Sequence, residues 1–101
     1  MINFNELVYK ASEVGASDFH LTVGMPPIYR IDGDLVDATE ELLQEEDVAG
    51  VVRILANDAQ QEELKREGQT DFAVTYDGKI RMRCNASISR GTRRWRCVCF
   101  R

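Results

Sequence analysis

The sequence predicts an α+β fold, an antiparallel sheet with helices packed against one side. Apolar residues recur at helical spacing near the start of the chain and again around Val48 to Leu55. Elsewhere they alternate with polar residues, as half-buried strands do. Two Asp-Gly pairs, Asp32-Gly33 and Asp77-Gly78, are strong signals for two-residue hairpin turns. No strand–helix–strand repeat, which would call for a parallel sheet, is evident.

Phe4, Leu7, Val8, Ala11 and Val14 fall on one helical face. Asn3 followed by Glu6 has the spacing of a capping box, and Gly15 suits a left-handed helix end. Phe19, Leu21 and Val23 then alternate with Asp18, His20 and Thr22, which predicts a strand. Asp18 and His20 share its polar side. Gly24-Met25-Pro26-Pro27 must break this strand, because proline donates no backbone hydrogen bond and restricts its neighbour. "IYRI" resumes as a strand, and "DLVDA" returns beside it across Asp32-Gly33.

Val48, Val51, Val52 and Leu55 mark a second helix, opened by the acidic "QEED". Asp58 and Gln61 have capping-box spacing for a third, running through Leu64 and closed by Gly68. Phe72, Val74 and Tyr76 alternate again, and Asp77-Gly78 turns the chain. Ile80, Met82, Cys84, Ala86 and Ile88 then share one strand face, with Lys79, Arg81, Arg83, Asn85 and Ser87 on the other. Arginines two residues apart on an outer face suit an anion or an acidic partner. Periodicity alone favours the plainer reading of a solvated strand face.

Composition is that of an ordinary globular chain of 101 residues, 44% hydrophobic and 30% charged. No apolar run is long enough to span a membrane and the N-terminus has no basic leader, so the expected compartment is the cytoplasm. A net charge of −4 conceals an asymmetry: residues 1–78 carry all 17 acids and five bases, and residues 79–101 carry eight bases and no acid. The basic end invites a nucleic-acid reading, but the acidic body would repel phosphates, so no nucleic-acid partner is expected.

Catalytic chemistry is sparse. His20 is the sole histidine, which excludes a histidine-rich metal site, and no metal is expected. Asp18 and His20 could form an acid/base pair, but such a pair more often fixes structure. Cys84, Cys97 and Cys99 fit neither a disulfide framework nor a common zinc spacing and read as free thiols. No phosphate-binding glycine loop of the GxxxxGK[ST] type is present.

The stretch "GASDFHLTVGMPPIYRIDGDL" resembles the N-terminal domain of PilT-type ATPases, the retraction motors of type IV pili, within the wider superfamily of secretion ATPases. The resemblance rests on the leading helix from Phe4 to Ala16 and on "ASDFHL" at Ala16 to Leu21. It continues through the pattern G-x-PP-x-x-R-x-DG-x-L at Gly24 to Leu35, "QTDFAV" at Gln69 to Val74, "RMRCN" at Arg81 to Asn85, and Arg90-Gly91. It implies a PAS-like domain over residues 1–92 that precedes a RecA-like motor domain, absent from this sequence, in a homo-hexamer at the inner-membrane pilus machinery. It further implies that Arg83, with Arg81 beside it, approaches ATP and Mg²⁺ bound by the motor domain of its own or an adjacent subunit. This chain alone would bind no cofactor and hydrolyse nothing. Asp18 and His20 match the hallmark, with a role the resemblance makes conformational, and Pro26, Pro27, Arg30, Asp32 and Gly33 belong to the same structural motif. The alternative is a stand-alone PAS-like ligand-binding or signalling domain, for which no Cys or His is placed to hold flavin or haem.

Residues 93–101 depart from the resemblance. An apolar strand such as Ala-Val-Ala-Leu-Arg-Val-Leu-Pro is expected there, and "RRWRCVCFR" has no alternation. Codons for that strand, shifted by one base, read Arg-Trp-Arg-Cys-Val-Cys-Phe and the start of an Arg codon, the sequence from Arg94 to Arg101. The expectation is therefore an anomalous, out-of-frame tail.

Overall fold

A computed structural model describes residues 2–89, 91 and 94–101. Its elements are α1 (Phe4–Glu13), β1 (Asp18–Thr22), β2 (Ile28–Ile31), β3 (Asp34–Asp37), α2 (Glu45–Leu55), α3 (Asp58–Glu67), β4 (Gln69–Tyr76), β5 (Ile80–Ser89) and β6 (Arg94–Phe100). The strands form one antiparallel sheet in the order β3-β2-β1-β6-β5-β4. All three helices lie on the same side, as expected for α+β. No helix among the described residues is long and apolar enough to cross a membrane.

Local sequence explains most of the elements. Asn3 caps α1 by accepting from the Glu6 backbone N–H at 3.1 Å, and Gly15 leaves the helix at φ 74°. Asp32 and Gly33 both have positive φ, 51° and 85°, as do Asp77 and Gly78, which is the geometry of the tightest hairpin turns. One expected cap is displaced by a residue. Asn57 and Gln60, not Asp58 and Gln61, exchange the hydrogen bonds that open α3, at 2.8 and 2.9 Å. Both pairs have capping chemistry, and the helix starts where Asn57 is still extended, at ψ 176°.

The core lies between sheet and helices. Phe19, Leu21, Tyr29, Phe72, Met82, Cys84, Ala86, Cys97 and Cys99 point from the sheet toward Phe4, Leu7, Val8, Val48, Val52 and Leu64. Tyr29 donates its hydroxyl to the Leu7 carbonyl at 2.6 Å, tying β2 to α1 within the core.

The sheet continues past residue 92. Arg94–Phe100 is a full central strand, paired with β1 along Asp18–Thr22 and with β5 from Arg83 to Ser89. Cys97, Val98 and Cys99 are buried. Its residues do alternate: Trp95, Cys97 and Cys99 face the core, and Arg94, Arg96, Val98 and Phe100 face the other side of the sheet. Arg101, just past it, donates from its backbone N–H to Ser17 and from its guanidinium to the Ala11 and Ala16 carbonyls at 3.3 and 3.0 Å, closing the end of α1. Arg90 of the resemblance, with Thr92 and Arg93, lies outside the described residues.

Candidate functional site: the open face of the sheet

The helices cover one side of the sheet, so alternation assigns every second strand residue to the other. In register across that open face stand Arg30, Asp18, Phe100, Arg83 and Ala73, on β2, β1, β6, β5 and β4. The next row holds Ile28, His20, Val98, Asn85 and Asp71. The two groups of residues singled out by the resemblance therefore share one face. They do not touch: Phe100 stands between Asp18 and Arg83.

The β1–β2 half of the face is a closed polar network. Asp18, though only 4% exposed, accepts from Ser17 Oγ at 2.8 Å, lies 2.6 Å from His20 Nε2, and faces Arg30 Nε at 3.3–3.4 Å. Burial pushes its carboxyl up, but hydrogen bonds from Ser17, His20 and Arg30 outweigh that, and the group titrates below the usual carboxylate range. A buried carboxylate so fully paired is held in place rather than poised for proton transfer. Pro26 and Pro27 lie in the adjoining loop, where Gly24 and Met25 exchange backbone hydrogen bonds with Leu43 and the Pro27 carbonyl accepts from Ala38. Pro27 is fully buried. Gly33 and Asp32 turn β2 into β3 at the sheet's edge, away from both groups.

On the β5 side Asn85 Nδ2 donates to Asp71 Oδ1 at 2.9 Å, but the arginines stand apart from such pairing. Arg81 and Arg83 are exposed, and neither side chain has a hydrogen bond or ion pair among the described residues. Their neighbours Met82 and Cys84 anchor the strand from the core side, at 3% and 1% exposure. Two guanidiniums are thus carried on a rigid strand at the rim of a groove of about 450 Å³, which Phe100 and Arg101 also line. Such a groove suits an anionic group brought by another body. Sequence reading missed Phe100, exposed at 46% beside Arg83, because its segment was assigned to an anomalous tail.

No family model matches the chain. The type IV pilus retraction ATPase PilT of Pseudomonas aeruginosa is 33% identical over 85 residues, covering 84% of this chain and 25% of that protein. A crystal structure of the pilus retraction motor PilT with bound ADP superposes over 100% of this chain and 29% of that one, with a TM-score of 0.88 at 29% identity. In sequence and in fold, the chain matches the N-terminal domain of a PilT-type ATPase. The chain thus spans about a quarter of PilT's length. The Legionella pneumophila ATPase DotB shares the fold, with a TM-score of 0.80 over 96% of this chain and 27% of its own, at 17% identity.

Proposed function

We propose that this domain serves a pilus-retraction ATPase by presenting its open sheet face, and Arg83 above all, to the nucleotide bound by a RecA-like motor domain of its own or a neighbouring subunit in a hexamer. The observation that supports this reading is the pair of exposed, unpartnered guanidiniums, Arg81 and Arg83, on the strand that matches the PilT domain. A guanidinium fixed on a strand costs little to order when it meets a phosphate, and it cannot lose its charge. The Asp18–His20–Arg30 network has the complementary role of keeping β1 and β2 rigid beside it. ATP and Mg²⁺ belong to the motor domain, because this sequence holds no phosphate loop. The assembly works in the cytoplasm against the pilus machinery at the inner membrane.

The test is a hybrid in which this chain replaces the corresponding quarter of Pseudomonas aeruginosa PilT. The proposal predicts assembly and ATP turnover within a few-fold of PilT itself. A hybrid that assembles but turns over no faster than PilT lacking that quarter contradicts it.

A further inference from the structure

The densest group of reactive side chains lies away from the open face, at the centre of the core. Cys84 on β5 is directly opposite Cys99 on β6, and Cys97 follows the same face two residues earlier. The Cys84 and Cys99 sulfurs are 3.4 Å apart, and those of Cys97 and Cys99 are 3.9 Å apart. All three thiols are free. All are fully buried.

We propose that Cys84 and Cys99 are an oxidative modification site, at which a peroxide closes a cross-strand disulfide that staples β5 to β6 directly beneath Arg83 and Phe100. Residues directly opposed in an antiparallel pair have Cα atoms about 4.5 or 5.5 Å apart. A disulfide accepts about 4.4–6.8 Å, so the bond can form by side-chain rotation within the existing register. Cys97 is less suited. It stands opposite Ala86, and two residues along one strand separate Cα atoms by about 6.6 Å, near the upper limit.

The chemistry balances with peroxide as the oxidant. One cysteine, as thiolate, attacks the O–O bond and expels hydroxide, becoming a sulfenic acid. The second thiol attacks that sulfur, the S–S bond forms and water leaves. Two thiols thus give up two protons and two electrons, and the peroxide becomes two waters. Hydrogen bonds with Cys84 and Cys97, together with burial, hold the Cys99 thiol well above its usual range. Thiolate is therefore scarce while the core is closed, and oxidation must pass through an opening of the core that frees β6, which for a central strand is close to global unfolding. The reaction is slow in the native chain and faster in sub-denaturing urea. None of this depends on the nucleotide-facing role of Arg83.

The experiment treats the purified chain with millimolar hydrogen peroxide and reads intact mass, non-reducing peptide maps and melting temperature. The expected result is a loss of about 2 Da that dithiothreitol reverses. A cross-link between the peptides carrying Cys84 and Cys99, located by fragmentation, should accompany it. Melting should rise by about 5 °C or more. Cys97→Ala should keep the 2 Da loss and Cys99→Ala should abolish it. Fragmentation of the wild-type cross-link distinguishes the same two sulfurs without any variant. Stepwise gain of oxygen without a cross-link, a cross-link to Cys97, or three unreacted thiols in urea that opens β6 would each overturn the proposal.

Discussion

Asp18 and His20, two residues apart on β1, meet at 2.6 Å between Oδ2 and Nε2 on the sheet face opposite the helices. The carboxylate is buried and the imidazole half-buried. With Ser17 and Arg30 also bound, Asp18 has its charge neutralised and its lone pairs occupied. Asp18 links β1 to β2 through Arg30.

Acid should undo that link. Asp18 titrates below the ordinary carboxylate value in the folded chain, so its contribution is fully present above the unfolded pKa of about 3.9. It is lost as pH falls through the folded value. Asp18→Asn should destabilise the domain by about 1–3 kcal/mol at neutral pH, because Arg30 loses its partner charge. The variant's urea midpoint should also fall less steeply between pH 5 and the acid limit than that of the wild type. Parallel pH curves would show that Asp18 carries no such linkage.

Tyr29 sets an alkaline limit. Burial raises its phenol to about 12, so stability is complete below the ordinary value of 10 and is lost as pH rises from there toward the folded value. Tyr29→Phe removes the hydrogen bond to the Leu7 carbonyl and should cost about 0.5–1.5 kcal/mol near pH 7. It should also flatten the alkaline loss seen by denaturant titration.

Gly33 tests the hairpin. A Cβ there would meet nothing within 4 Å, so any cost comes from the backbone at φ 85° and not from a clash. Gly33→Val should lower stability by about 1–3 kcal/mol, and Gly33→Asn by clearly less, because Asn tolerates left-handed backbone. Equal melting temperatures for the two variants would contradict this reading.

Much of the fold was legible because its signals are local. Helical spacing from Phe4 to Val14, the two Asp-Gly turns and the strict alternation from Ile80 to Ile88 each settle a stretch without reference to the rest of the chain. Asp18 and His20 could be placed on one side of a strand for the same reason. β6 could not be read this way. Arg94, Trp95 and Arg96 do not read as a strand, and the place of Cys97-Val98-Cys99 in the middle of the sheet depends on β1, far away in sequence, as well as on its neighbour β5. The site was half legible for the same reason. Alternation put Arg83 on an outer face, but only the strand order reveals that the Asp18 network shares that face and that Phe100 separates them.

The functional reading turns on Arg83, and one pair of assays tests it. An exposed, unpaired side chain contributes little to its own domain, so Arg83→Ala should leave the isolated chain within about 0.5 kcal/mol of wild type. In the hybrid motor the same substitution should cut ATP turnover by about tenfold or more at unchanged assembly, because a guanidinium facing a transferred phosphoryl group acts mainly in the transition state. Arg83→Lys should recover part of that rate. Full turnover in the assembled Arg83→Ala hybrid would contradict the claim that this face meets the nucleotide.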